Sequence, residues 1–246
     1  MTLFMRLIGA CGVALVGVSS PAFATTTNLL SNGDFESVDG RTDINGNNPL
    51  NGLASPPGGS WAVYSSLPGG WIASGGPGIE IQTNRTLGAI DSLDGFDGNP
   101  GEHYVELDSH HAADTNSGME QSLLLEKGKY VFSFFYSPRT GNVGADDNLI
   151  NWEILPGLGS DFISGPNPVG NPATEVGKWT KLTTFFELAD QTNVTFRIFA
   201  GGKDNSLGGF VDNVSVSAVP VPAAFLMLAS AFGLAGAVRR MSKTSA

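Results

Sequence analysis

The chain is almost without cysteine: Cys11 is the only one among its 246 residues. It lies in an apolar N-terminal run that we expect to be removed, so the mature protein can form neither a disulfide nor a thiolate zinc site. A secreted domain without disulfides depends on the size of its core or on bound metal ions. Roughly 195 residues lie between the two end segments described below, which is enough for one substantial core.

Basic residues are also scarce in the central region. Between Thr25 and Pro222 there are 9 Lys and Arg residues against all 23 Asp and Glu residues, which gives a formal charge of −14. Such a surface repels nucleic acid and anionic membranes, and this excludes both as ligands of the region. The same charge is compatible with neutral sugars and with calcium held by carboxylates.

Sequence patterns for catalysis are weak. No Gly-x-Ser-x-Gly elbow and no phosphate-binding glycine loop is present, and there are only three histidines. Carboxylate pairs that could hydrolyse a glycoside can be found in any acidic protein, so their presence says little. We therefore predict a protein that is not an enzyme and has no organic cofactor.

Residues 1–24 have the pattern of a secretory signal peptide, with Arg6 followed by an apolar run from Leu7 to Val18. The small residues Ala22 and Ala24 occupy the positions that signal peptidase reads, which predicts cleavage before Thr25. A lipoprotein signal ending at Cys11 is the alternative. It is disfavoured because most of the apolar run follows Cys11, whereas a lipobox cysteine ends such a run.

Residues 219–246 form a second end segment. Ala223–Val238 is a run of 16 uncharged residues, followed by a basic end. As a helix the run would span ~24 Å, slightly less than the ~30 Å hydrocarbon core. Its basic end predicts a membrane helix with the central region outside the cytoplasm. A buried core helix is the alternative, but the run has no polar face. The motif that precedes the helix consists of Val219, Pro220, Val221, Pro222 and Ala223.

The order of short motif, apolar helix and basic end resembles the PEP-CTERM sorting signals of Gram-negative bacteria, in a Val-Pro-x-Pro-Ala variant. Val221 stands where the commonest form has Glu, so the partner protease could be a variant. The resemblance implies processing by an exosortase, a membrane cysteine protease. The protein would then stay with the inner membrane as a precursor and move to the cell surface or extracellular matrix.

Between the two ends the sequence predicts an all-β domain over residues 25–218. Short apolar runs alternate with Gly, Asn, Asp and Pro clusters, and no helical periodicity of useful length appears. We predict about eight to ten strands in a sandwich of two antiparallel sheets, with long loops at 39–60 and 157–177. The clearest strands are predicted at Lys129–Ser137, Trp179–Leu188, Asn193–Ala200 and Gly209–Ser217.

Five segments distributed along this region resemble secreted carbohydrate-binding modules with the galactose-binding-like jelly roll, and the similarity extends over nearly all of residues 28–217. The resemblance implies that fold, flanked here by an N-terminal signal helix and a C-terminal transmembrane sorting helix. The fold hosts many ligands, so it says less about function. The five segments are Asn28–Glu36, Gly70–Trp71 with the following Ile79–Gln82, His103–Asp108, Phe134–Arg139 and Ser206–Val216.

Asp212 is a candidate ion ligand. By strand periodicity it shares a face with Phe210, Val214 and Val216, where a carboxylate is costly unless it is paired or binds a metal. Calcium, with Asp34 and Glu36 as further ligands, is one explanation. A β-bulge that turns Asp212 outward, or hydrogen bonds to loop amides, explains it equally well. The family resemblance implies one structural calcium ion between the positions of Glu36 and Asp212.

Sugar-binding faces combine exposed aromatic rings with polar side chains. We single out Trp152, which has polar neighbours, and add Tyr136 and Arg139 at the end of a strand. These residues favour a non-catalytic surface or matrix protein that binds glycan or exopolysaccharide. A structural biofilm protein without a small ligand is the main alternative, and a polysaccharide hydrolase is a weaker one.

Overall fold

The computed structural model describes residues 27–38, 44, 60–86, 90–109, 116–139, 146–164 and 177–220. All strands belong to one unit, Thr26–Val219. Within these ranges no helix is long and apolar enough to cross a membrane. The predicted signal helix, with Ala22 and Ala24, and the predicted sorting helix lie outside the described residues.

The described residues contain twelve β-strands and one short 3₁₀ turn, Pro68–Gly70. The strands are β1 Trp61–Tyr64, β2 Ser66–Leu67, β3 Trp71–Ala73, β4 Ile79–Thr83, β5 His103–Glu106, β6 Gly118–Leu125, β7 Gly128–Ser137, β8 Ile150–Leu155, β9 Gly159–Ile163, β10 Thr180–Leu188, β11 Thr192–Ala200 and β12 Phe210–Ala218.

The strands form two six-stranded sheets. Sheet 1 has the order β1-β4-β5-β12-β7-β10, and sheet 2 has the order β2-β3-β6-β11-β8-β9. All neighbouring strands are antiparallel. From β5 onward the chain passes repeatedly from one sheet to the other, which is typical of a jelly roll. The all-β sandwich predicted from the sequence is confirmed.

Alternating residues on the long strands form the core between the sheets. On β7, Phe132 and Phe134 point inward and are almost fully buried. Phe132 stacks on Phe196 of β11 at a centroid distance of 5.3 Å, and Phe186 of β10 packs against the same ring at 5.8 Å. Each buried aromatic side chain contributes about 1.5–3 kcal/mol through burial, and this joins the sheets where the strands are longest.

The strand predictions differ from the structure mainly at short, polar strands. The four clearest predicted strands correspond to β7, β10, β11 and β12, shifted by one residue at most. The segment 157–177 was predicted to be a loop, but Gly159–Ile163 forms β9. Its Gly, Ser and Asp residues have low strand propensity. Pairing with β8 over five positions nevertheless makes it the edge of sheet 2.

Candidate functional site

A β-bulge in β12 determines where Asp212 lies. The pairing of β12 with β7 shifts between Asp212 and Ser215, and Asn213 has a φ of 47°. Val211, Val214 and Val216 all belong to the core between the sheets. The prediction that Asp212 shares a face with Val214 and Val216 was therefore wrong. The extra residue reverses the alternation and places Asp212 on the outer face of sheet 1.

Asp212 is nevertheless fully buried, because the segment that precedes β5 covers it. Its Oδ2 accepts hydrogen bonds from Leu93 N at 2.9 Å and from Ser92 Oγ at 3.1 Å. Its Oδ1 accepts one from Asn213 N at 2.6 Å. Burial raises the pKa of the Asp212 carboxyl to about 8, more than these hydrogen bonds lower it, and the charge of Glu36 raises it further. Both alternatives to calcium, the bulge and the loop amides, are thus present.

Glu36 lies beside Asp212. Its carboxylate accepts hydrogen bonds from Glu102 N at 2.9 Å and from His103 N at 3.1 Å. Oε2 is 3.0 Å from Nδ1 of His103, whose Nε2 is buried without a hydrogen-bond partner. Ser92 Oγ lies 3.4 Å from Glu36 Oε1, so one hydroxyl lies between the two carboxylates. The two residues are therefore neighbours across 176 positions of sequence.

Asp34, the third predicted calcium ligand, binds a backbone group of a loop: its Oδ2 accepts a hydrogen bond of 3.0 Å from Phe96 N. Among the described residues, no three His, Cys, Asp or Glu side chains are arranged as a metal site. Glu36 and Asp212 are suitable ligands for a cation, because both carboxylates lie beside the Ser92 hydroxyl. A cation would also neutralise the buried charge of Asp212, which the hydrogen bonds alone do not offset. Asp34 does not fit as a third ligand in this arrangement. A calcium ion here would need backbone carbonyl oxygens to complete its shell.

A groove of about 750 Å³ crosses the outer face of sheet 1 beside this cluster. Phe96 stands at its edge with 49% of its surface exposed. Asn99 donates hydrogen bonds to the neighbouring Asp97 and lowers its pKa. The floor is rich in hydroxyl groups, and Ser133 and Ser215 are in contact there at 2.9 Å. Further lining residues are Asp34, Lys181, Thr183 and Ser217. Neither the aromatic residue nor this hydroxyl row was singled out from the sequence.

The three residues predicted to bind sugar do not share a surface. Tyr136 is fully buried, and its hydroxyl donates a 2.8 Å hydrogen bond to Asn148 O. Arg139 is 7% exposed, pairs with Glu106 and lies 5.7 Å from the Phe210 ring centroid. Trp152 is also 7% exposed, points between the sheets and lines a cleft there. Trp152 lines the cleft of about 470 Å³, whereas neither Tyr136 nor Arg139 lines that cleft or the groove on sheet 1.

The Arg139 pair belongs to a buried polar cluster that sequence reasoning missed. Glu80 and Glu106 face each other across β4 and β5, and both are fully buried. Gln82 Nε2 donates to both carboxylates, and Gly208 N donates to Glu106 at 2.8 Å. Burial, and then the Glu80 charge, raises the pKa of Glu106 well above its ordinary value, although Arg139 opposes this. Neither carboxylate has exposed surface through which a polysaccharide could reach it.

Part of the predicted sorting motif is described. Val219 donates a backbone hydrogen bond of 2.8 Å to Lys129 O, and it is 37% exposed. Pro220 is exposed and is the last described residue, and Val221, Pro222 and Ala223 lie outside the described ranges. The sorting function therefore stays a prediction from the sequence.

No protein-family model matches the chain, and no curated protein matches it. Among solved structures it is similar to the Stig cyclase Fisc from Fischerella sp. TAU, with 14% identity, 80% of this chain and 98% of that chain covered, and a TM-score of 0.49. It is also similar to a family 35 carbohydrate-binding module from Clostridium thermocellum, with 16% identity, 65% of this chain and 99% of that chain covered, and a TM-score of 0.37. For the xylan-binding domain CBM22-1 from Paenibacillus barcinonensis Xyn10C the identity is 10%, the coverage is 69% of this chain and 99% of that chain, and the TM-score is 0.35. At TM-scores below 0.5, these similarities do not establish what this chain binds or catalyses.

Proposed function

We propose that the chain is an exported, non-catalytic glycan-binding protein of a bacterial envelope or matrix, and that the groove on sheet 1 is its binding surface. The observation that carries the proposal is the combination found there. An exposed aromatic ring, a row of hydroxyl groups and two carboxylates line one open groove of about 750 Å³. Neutral sugars are bound by this chemistry, because a ring stacks on the pyranose face and polar groups meet its hydroxyls.

The charge of the groove supports a neutral ligand. Asp34 and Asp97 stand at the edge where Phe96 lies. Lys181 is the one basic residue in the lining, and its Nζ lies 5.5 Å from the Phe135 ring centroid. Anionic polymers would be repelled by the carboxylates and by the acidic surface around them. Neutral glycans or exopolysaccharides are therefore the proposed partners.

Export and processing are further parts of the proposal, and they rest on the sequence. Signal peptidase would remove residues 1–24, and an exosortase would process residues 219–246 after the C-terminal helix has held the precursor in the inner membrane. A structural calcium ion held by Glu36 and Asp212 would fix the segment that carries Phe96. Deleting residues 219–246 should then misdirect the protein, and unchanged localisation after cell fractionation would contradict the sorting function.

The binding proposal is tested by a polysaccharide screen with the full chain, once with calcium and once with EDTA. We expect saturable binding of one class of neutral glycan, weakened about tenfold in Phe96→Ala through loss of ring stacking. Phe185→Ala is the matched control, since Phe185 is 70% exposed on β10 and lies outside the groove. If the folded chain binds no glycan, the structural matrix protein becomes the better interpretation.

A further inference from the structure

A second cavity lies between the two sheets, at the edge where β9 and β10 run. It measures about 470 Å³, a size typical of small-molecule pockets. Phe132 and Phe134 of sheet 1 line one side, and Trp152 of sheet 2 lines the other. The groove proposed for glycan lies on the opposite face of sheet 1, and the two cavities share Lys181 and Thr183 of β10 in their linings.

The cavity exists because the first half of β9 does not fill the core. Gly159, Asp161 and Ile163 alternate onto the inward face of β9, and Ile163 is completely buried there. Gly159 has no side chain to occupy the space beside the Trp152 ring, and Asp161 faces Trp152 across the strand pair. A jelly roll with bulky residues at both positions would have no cleft at this edge.

Trp152 contributes the second observation. It is 7% exposed, and its indole Nε1 is buried without a hydrogen-bond partner. Most buried polar groups in proteins are hydrogen-bonded, so an unsatisfied one in the wall of an open cavity indicates a missing acceptor. The carboxylate of Asp161, across the strand pair, accepts a hydrogen bond from Phe162 N at 2.9 Å.

The chemistry of the lining limits the ligand. Phe132, Phe134 and Leu182 belong to the apolar core or pack against it, so they offer no partner for the many hydroxyls of a sugar. The polar side chains available on the inward face are the Trp152 N–H, the Thr184 hydroxyl and the Asp161 carboxylate. Lys181 lines the rim, but its ammonium lies over the Phe135 ring on the other face of the sheet. A flat apolar ring that carries one acceptor and no negative charge suits this lining.

We propose that this cleft is a second ligand site, which takes a planar, largely apolar small molecule whose hydrogen-bond acceptor pairs with Trp152 Nε1. The two aromatic walls enclose the ring, and Asp161 selects neutral or cationic molecules over anionic ones. The proposal does not rest on the proposed glycan binding and does not require a calcium ion.

Coumarin, a neutral planar bicycle with one carbonyl acceptor, serves as the probe with the full chain. The indole N–H resonance of Trp152 is identified by its loss from the ¹H–¹⁵N spectrum of Trp152→Phe. We expect coumarin to shift this resonance saturably downfield. Coumarin-3-carboxylate should bind more weakly than coumarin, and Asp161→Asn should reduce the difference. Equal affinities of the two probes would overturn the selection by Asp161.

Gly159→Val blocks the site. A Cβ at Gly159 would meet Trp152 Cζ3 at 3.6 Å and Ile154 Cδ1 at 3.8 Å, so the backbone accepts a side chain and the rest of the valine fills the cleft. Coumarin affinity should fall about tenfold or more. Gly128→Val is the matched control, because a Cβ there also has its nearest contact at 3.6 Å, on Tyr130, away from the cleft.

Two results would overturn the proposal. One is a Trp152 resonance that does not move up to the solubility limit of coumarin. The other is a folded Gly159→Val chain that binds coumarin as tightly as the wild type. If Gly159→Val does not fold, Trp152→Phe decides, since it keeps an aromatic wall and removes only the donor and part of the ring. Unchanged coumarin affinity in Trp152→Phe would equally reject the proposed hydrogen bond.

Discussion

Asp34 holds Phe96 through a hydrogen bond of 3.0 Å from the Phe96 backbone N–H to Asp34 Oδ2. The two residues are 62 positions apart, and both line the groove on sheet 1. The bond fixes the backbone of an exposed turn whose aromatic side chain we propose as the stacking platform. We therefore propose that Asp34 supports glycan binding by positioning Phe96.

Asp34→Ala should weaken glycan binding severalfold and leave the calcium response of the melting temperature intact. The first effect follows from a looser Phe96 turn, and the second from the absence of Asp34 from the Glu36–Asp212 pair. Isothermal titration with the glycan and thermal melts with and without calcium measure both effects. Loss of the calcium response in Asp34→Ala would instead make Asp34 an ion ligand.

Calcium should stabilise the chain through Glu36 and Asp212. An ion bound only by the native state at about 100 times its Kd adds about 2.7 kcal/mol to the free energy of unfolding. EDTA should therefore lower the melting temperature, and Asp212→Asn should abolish the difference. Asp190→Asn, at an exposed carboxylate in a turn, is the control that should keep it. A melting temperature insensitive to EDTA in the wild type would show that hydrogen bonds alone support the Asp212 carboxylate.

The sequence predicted the regular part of the fold because side-chain alternation is visible in it. Tyr130, Phe132, Phe134 and Tyr136 recur at every second position and are all buried in β7. The side on which Asp212 lies could not be predicted in the same way. It depends on one bulge at Asn213, and a single inserted residue leaves no periodic signal. The buried pairing of Arg139 with Glu106 depends on contacts across the sheet, which short-range patterns do not contain.

Glu106 should make the stability of the chain fall as the pH rises. Its folded pKa is raised, by burial first and by Glu80 second, so the folded state retains the proton more strongly than the unfolded chain does. Its stabilising contribution is complete below its unfolded pKa, about 4.3, and is lost as the pH rises through the folded pKa. The loss can reach about 1.4 kcal/mol per pH unit.

Urea unfolding at a series of pH values, compared between wild type and Glu106→Gln, measures this contribution. The glutamine resembles the protonated carboxyl and removes the negative charge that the folded chain buries at this position. The free energy of unfolding of Glu106→Gln, measured relative to that of the wild type, should therefore increase with pH. A difference that does not change from pH 4 upward would mean that Arg139 fully compensates the Glu106 charge.

Gly33 is required by the close approach of the opening segment to β12. A Cβ on Gly33 would stand 2.0 Å from Val214 O, and Gly33 O accepts a hydrogen bond of 2.7 Å from Val214 N. Gly33→Ala must therefore separate two backbones that are hydrogen-bonded to each other, and the cost should be about 1–3 kcal/mol. Gly128→Ala is the matched control, because its Cβ would meet nothing closer than Tyr130 at 3.6 Å. Chemical denaturation of both variants measures the cost. Val214 follows the bulge that orients Asp212, so Gly33→Ala should also reduce the effect of calcium on the melting temperature. Equal stability of Gly33→Ala and Gly128→Ala would show that the opening segment is not held against β12 in solution.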